Sequence, residues 1–277
     1  MGDQGFSVCA VSLTTTLIPT SYPYAALQGK LRLNMSNYVF FKFRDVNKYL
    51  IDSLVKGYLY FAHPDRLNDP FDCRVDIKRS AQNAIEKLSG SKKANLAKLA
   101  GLDRYLDQIQ KDTGKAGICS FSLELDNSLL WSHYASEHRG LCLTYDLPES
   151  FLDDKSNEIT GVAPVEYGDS PLTDWFVAHA PENGNSSFKE FTLEVVKKVL
   201  TIKNKCWDYE KEVRIIRQEQ SKLTIPKKYL KQVCFGVNTP KSDISLIREL
   251  VDNSGYKVGY CKMGRSESDF GLRTMEI

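Results

Sequence analysis

The sequence predicts an α+β fold, and three observations predict it. Short aromatic or β-branched runs are interspersed with helical stretches, without the regular strand–helix beat of a doubly wound sheet. Some of the strand-like runs alternate in polarity, the pattern of a strand with one covered face. A lysine-rich helical block interrupts the series between residues 79 and 113. The expectation is a mixed, mostly antiparallel sheet with flanking helices and a helical insertion.

Taken in order, residues 1–36 read as an N-terminal arm, rich in Thr and Ser with Pro19 and Pro23 and without a clear period. A single compact α+β domain is expected over 37–277. YVFFKFR (38–44) is strand-like, and Val46–Val55 has helical spacing that ends at Gly57, a C-terminal cap residue. GYLYFAHP (57–64) is a strand closed by Pro64, and RLNDPFDCR (66–74) has turn chemistry. The insertion at 79–113 is helical and breaks at Ser89-Gly90-Ser91. GICSFSL (117–123) is a strand, and Asp126-Asn127-Ser128 caps a helix through Trp131 and Tyr134 that stops near Gly140. LCLTYDL (141–147) alternates as a strand, and GVAPVEYG (161–168) contains a proline that suits a sheet edge. A helix around Ser187–Thr201, a strand at 233–238, a helix at 241–253 and strands at 256–263 and 271–277 complete the series.

Composition bounds the function. The chain has 277 residues, 42% hydrophobic and 26% charged, enough for a core without covalent staples. A net charge of +2 provides no global field for nucleic acid. Seven cysteines without C-x-x-C spacing suit neither a zinc site nor a disulfide framework, and Cys119, Cys142 and Cys234 sit in apolar runs as buried thiols. The opening residues lack a basic segment followed by an apolar core, and no run approaches a membrane span, so a cytoplasmic location is expected.

WDYEKEVRII (207–216) reads as a strand carrying Glu210, Glu212, Arg214 and Ile216 on one face. Carboxylates two apart on a strand lie about 6.5–7 Å apart, so they feel each other's charge unless Arg214 or a ligand offsets it. A solvated charge ladder on an edge strand is the structural alternative. No G-x-G-x-x-G, Walker loop, G-x-S-x-G elbow or H-E-x-x-H occurs. Asn68, Asp69 and Asp72 suit a turn, Trp131 and Tyr134 are one turn apart as core anchors, and His133 lies on another helical face.

These islands, in this order, resemble a bacterial family catalogued as domain of unknown function 2971. The resemblance runs from Tyr38 to the C-terminus through KFR, GYLYFAHPDRLNDPFD, CSFS, WSHYASEHRGLCLTYD and WDYEKEVRII. The family name implies no activity. A more distant resemblance is to ADP-ribosyltransferases of the R-S-E type, by the order of a strand with Arg44, a strand with Ser120 or Ser122, and Glu210-x-Glu212. The middle motif departs from that pattern, reading S-F-S.

That second resemblance implies an ADP-ribosyltransferase-like fold and NAD as a substrate. Glu212 would stabilise an oxocarbenium-like ribose, Glu210 would orient or deprotonate the acceptor, and Arg44 would meet the pyrophosphate. Tyr134, Tyr209, Trp131 and His133 would line the dinucleotide. The acceptor would be a nucleic acid or a protein, and the setting a toxin or anti-phage effector with an antitoxin or defence partner. Two other readings remain open: a metal-dependent nuclease using Asp69, Asp72, Glu210 and Glu212, and a non-catalytic module binding through Lys87, Lys92, Lys93 and Lys98.

Overall fold

The protein is described from a computed structural model over residues 37–101, 103–182, 188–266 and 270–277. The arm expected over 1–36, with Cys9, lies outside these residues.

Eight strands form one sheet in the order β12-β11-β10-β4-β1-β3-β8-β5. They are β1 (Asn37–Arg44), β3 (Gly117–Ser122), β4 (Leu141–Pro148), β5 (Ile159–Pro164), β8 (Glu212–Arg217), β10 (Leu230–Phe235), β11 (Gly259–Arg265) and β12 (Leu272–Glu276). All neighbours run antiparallel except β10 and β11. Two small two-stranded sheets add β2 (Tyr58–Phe61) with β9 (Ser221–Thr224), and β6 (Glu166–Gly168) with β7 (Ile202–Asn204). The architecture is therefore α+β with a mostly antiparallel sheet, as expected. The proline-bearing strand β5 does sit at the sheet edge, where Pro164 removes no ladder donor from a central strand.

Alternation along the strands sends two sets of side chains to two cores. On one face Phe40, Phe121, Leu143, Val213, Ile215 and Phe235 pack with α1 (Lys48–Lys56) and α9 (Lys241–Asn253). Helix α1 is capped at its start by the Asn47 side chain and ends on Gly57 in the left-handed region, where a side chain would be strained.

The other face is divided. Ile118 and Ile216 pack under α2 (Ile77–Lys87), α3 (Gly90–Ala100), α4 (Asp103–Lys115), α7 (Pro171–His179) and α8 (Phe188–Leu200). Farther along, Phe43, Cys142, Cys234 and Cys261 pack under Leu130 and Trp131 of α5 (Ser128–Tyr134). Each buried side chain of this size contributes about 1.5–3 kcal/mol, so both halves are firmly anchored. The seam between them is where the polar residues collect. A short helix α6 (Glu149–Leu152) follows β4.

Two expectations are corrected. WDYEKEVRII is not one strand: Lys205–Glu210 is a 3-10 helix, Lys211 is left-handed at φ 44° and ψ 48°, and only Glu212–Arg217 is strand. Its charged face is not a solvated ladder either, for Glu210, Glu212 and Arg214 are all buried. Cys119, Cys142 and Cys234 are buried free thiols, as their apolar runs suggested. Among the described residues no helix is long and apolar enough to cross a membrane.

Candidate functional site

Strands β3 and β8 lie in register with Ser120 opposite Arg214 and Ser122 opposite Glu212, and all four belong to the seam face. Strands β1 and β3 are paired only at Phe41 and Ser122. Beyond that pair they part, and the Lys42 ammonium donates to the Ser120 carbonyl at 2.8 Å in place of a ladder bond. The parting helps open a cleft, lined by Phe41, Phe43, Asn68, Ser120, Ser122, Tyr134, Lys203, Glu210 and Glu212 among others, with a cavity of about 150 Å³.

Its floor is an ion cluster. Arg214, wholly buried, contacts Glu212 at 2.8 Å, Asp72 at 2.6 Å and the Leu200 carbonyl at 2.8 Å. Lys203 Nζ lies 2.6 Å from Glu210, 3.4 Å from Glu212 and 3.6 Å from Asp72. Three carboxylates thus face two cations. Burial of ions without partners is prohibitive, so this arrangement holds only because each charge has several.

The left-handed Lys211 explains how both glutamates reach one ammonium. It folds the 3-10 segment back on the start of β8, so Glu210 and Glu212 converge from two elements. The Ser122 hydroxyl holds the Glu210 carbonyl at 2.8 Å, and the Tyr167 hydroxyl accepts the Glu212 amide at 2.8 Å. Tyr134 donates a short hydrogen bond to Glu210 and accepts one from Asn68 at 2.8 Å.

The two carboxyls differ in affinity for a proton. Burial raises the Glu210 carboxyl above its usual range, and Lys203 offsets this only in part. Burial would also raise Glu212, but the Arg214 guanidinium, Lys203 and the Ser120 hydroxyl outweigh it and hold Glu212 at about 2. Glutamates two apart in sequence are therefore driven in opposite directions, the usual arrangement for an acid–base pair. Burial pushes the Tyr134 phenol up, and the neighbouring Glu210 carboxylate pushes it further, so the hydroxyl keeps its proton.

The cleft brings together Glu210, Glu212, Ser120, Ser122 and Tyr134 from distant parts of the sequence. Arg44 is not among its lining residues: it ends β1 opposite Leu141, on the strand face of Tyr38 and Phe40. Trp131 is wholly buried, edge-on to Phe43 and stacked with His138, so it serves as a core anchor with no open ring face for a ligand. His133 is exposed beside Tyr209, with ring centroids 6.0 Å apart. Asp69 is used in its own turn, accepting from the Phe71 amide at 2.9 Å. Lys87 and Lys92 pair with Asp174 and Glu182 at the surface.

Among the described residues no group of three or more His, Cys, Asp or Glu is arranged to hold a metal ion. Asp72, Glu210 and Glu212 converge on Lys203 and Arg214 instead. Lys203 is the cluster member that sequence reasoning did not place here; Asp72 is grouped with the two glutamates only in the nuclease reading. A lone lysine in TIKNKC carries no motif, and although Glu210 and Glu212 follow it by seven and nine residues, they sit on other elements and meet it only through the fold.

A family model described as "Protein of unknown function (DUF2971)" matches residues 130–215. The matched segment begins at Leu130 on the cleft wall and carries Tyr134, Lys203, Glu210, Glu212 and Arg214, while Asp72, Ser120 and Ser122 come from outside it. No curated protein and no solved structure matches the chain.

Proposed function

We propose that this cleft transfers the ADP-ribosyl group of NAD to an acceptor, with Glu210 as the group that handles the proton. The observation that carries the reading is the pairing of two buried carboxyls of opposite tendency on one ammonium, at the floor of an aromatic-walled cleft. Three carboxylates against two cations leave a formal excess of one negative charge when Glu210 is ionised. That excess suits the positively charged nicotinamide ring, and Phe41 and Phe43 suit its faces.

In this reading the bond from ribose C1′ to the nicotinamide nitrogen breaks, and its electron pair leaves with nicotinamide. The acceptor's nucleophile attacks C1′ and passes its proton to Glu210, whose affinity for a proton burial has raised. Glu212 supplies fixed negative charge beneath the developing cation and keeps Lys203 and Arg214 in place. Ser122 positions Glu210 through its carbonyl. A cavity of about 150 Å³ is below the roughly 300–1,000 Å³ of a drug-sized pocket, so it takes the nicotinamide–ribose end and leaves the adenylate half outside. The arginine role implied by the R-S-E order is the part of the reading that Arg44 does not support; Lys42, unlike Arg44, is among the lining residues. An ADP-ribosyltransferase-like fold, a cytoplasmic location and a toxin or anti-phage setting belong to the same proposal.

Purified protein incubated with NAD should release nicotinamide. Release should fall at least tenfold in Glu210→Gln with the far-UV circular dichroism unchanged. Equal release by that variant, or none by the wild type with any acceptor offered, discards the transfer reading.

A further inference from the structure

The aromatic residues beside Glu210 continue away from the cleft as a connected series. Tyr134 donates to Glu210, and the His133 ring centroid lies 6.3 Å from that of Tyr134 and 6.0 Å from that of Tyr209. Tyr209 in turn lies 6.0 Å from Trp207. Trp207 and Tyr209 belong to the 3-10 segment that ends at Glu210, and the Lys203 ammonium that binds Glu210 sits 4.8 Å from the Trp207 centroid. His133 is exposed, and Trp207 and Tyr209 are half-buried. Trp131 and Trp175, by contrast, are buried with their faces against neighbouring rings.

A row of partly open rings running from the Glu210 carboxyl to the surface is the kind of contiguous patch that marks a binding site. Rings rather than aliphatic side chains compose it, which favours a planar heteroaromatic ligand. Exposed charge beside Trp207 is balanced, Lys205 opposing Asp208, while the Lys203 ammonium near the ring is buried and already paired with carboxylates.

We infer that His133, Tyr209 and Trp207 form a base-stacking subsite that leads a nucleobase of a single-stranded nucleic acid to Glu210. That this base is the acceptor of the ADP-ribosyl group rests on the transfer reading above; base binding itself needs no NAD. Because stacking and not phosphate contact holds the strand, the subsite takes single strands, rejects duplexes whose bases are already stacked, and depends little on salt.

The test is a titration with a short single-stranded oligonucleotide in the absence of NAD, read by tryptophan emission and by anisotropy of the labelled strand. Binding should quench emission and weaken at least tenfold in Trp207→Ala, with Trp207→Phe restoring most of it. An abasic strand of equal length and a duplex should also bind at least tenfold more weakly. Raising salt from 50 to 200 mM should cost under about threefold, the effect of a single phosphate contact on a single strand. No binding, equal binding of the abasic strand, or a folded Trp207→Ala and Tyr209→Ala pair that both bind as the wild type overturns the inference. Nicotinamide release without base binding removes this inference alone, and base binding without release removes the transfer reading alone.

Discussion

Arg214 grips Glu212 with two contacts, Nε to Oε1 at 2.8 Å and Nη2 to Oε2 at 3.1 Å, although the two residues are neighbours on one strand face and both are buried. The same guanidinium ties in Asp72 from the NDPFD turn and the end of α8 through the Leu200 carbonyl. Removing it strands two buried carboxylates at once. Arg214→Met is expected to cost about 3–5 kcal/mol in urea unfolding. Arg214→Lys should recover only part, since an ammonium cannot reproduce the fork. A loss under about 1 kcal/mol for Arg214→Met would mean that the cluster contributes little to the fold.

The glutamates give opposite slopes of stability against pH. Glu212 is held low, at about 2, so its contribution is present above the unfolded value and is lost as pH falls from about 4.5 to 2. Glu210 is held high, so the folded state keeps its proton longer, and that contribution is lost as pH rises through the raised value. Glu210→Gln should therefore flatten the decline of stability above pH 4.5 and leave the acid limb in place. Denaturant midpoints measured from pH 4 to 8 check this, and an unchanged upper slope in the variant contradicts it.

Lys203 is the charge that lets two glutamates share one pocket. Lys203→Met should push the Glu210 carboxyl still higher and destabilise the protein more at pH 8 than at pH 5. The double variant Lys203→Met/Glu210→Gln should regain part of the loss, because the unpaired charge is gone. A double-mutant cycle by chemical denaturation measures the coupling, expected at about 1–3 kcal/mol.

Tyr134→Phe removes one hydroxyl shared by Glu210 and Asn68 and keeps the ring. The expected cost to stability is about 1 kcal/mol, the net worth of a hydrogen bond lost near a half-buried group. Nicotinamide release should fall more than that, at least tenfold, with its pH optimum displaced because Glu210 has lost its donor. A variant as active as the wild type with the same optimum would separate Tyr134 from the chemistry.

Gly236 meets the turn after α5 so closely that an added Cβ would lie 2.1 Å from the His138 carbonyl oxygen. That carbonyl also accepts the Asn238 amide at 2.9 Å, so the backbone cannot simply retreat. Gly236→Ala should destabilise by about 2 kcal/mol or more through overpacking, measurable as a lower thermal midpoint.

Much of the fold was legible in local pattern. Asn127 caps α5, Gly57 ends α1 and Pro164 marks an edge strand because caps, left-handed residues and missing donors act over a few residues. The same locality misled over WDYEKEVRII. Period-two alternation placed Glu210 and Glu212 on one strand face, whereas Lys211 turns the backbone between them and only tertiary contacts stabilise that turn. Short β9, which pairs with β2, went unread because its existence depends on a partner more than a hundred residues away.

By itself the sequence determined the class of fold, the buried thiols, the order of the chemistry-bearing islands and the two glutamates worth watching. Tertiary structure alone decided which of these meet: it set Ser120 and Ser122 beside the glutamates, left Arg44 off the cleft, kept Asp72 but not Asp69 in the ion cluster and brought in Lys203. The reason is physical. Propensity and alternation are written in neighbouring residues, and so is Arg214 beside Glu212, but the protonation of Glu210 and the charge of Glu212 also follow from burial and from Lys203 on another strand, which no local pattern encodes.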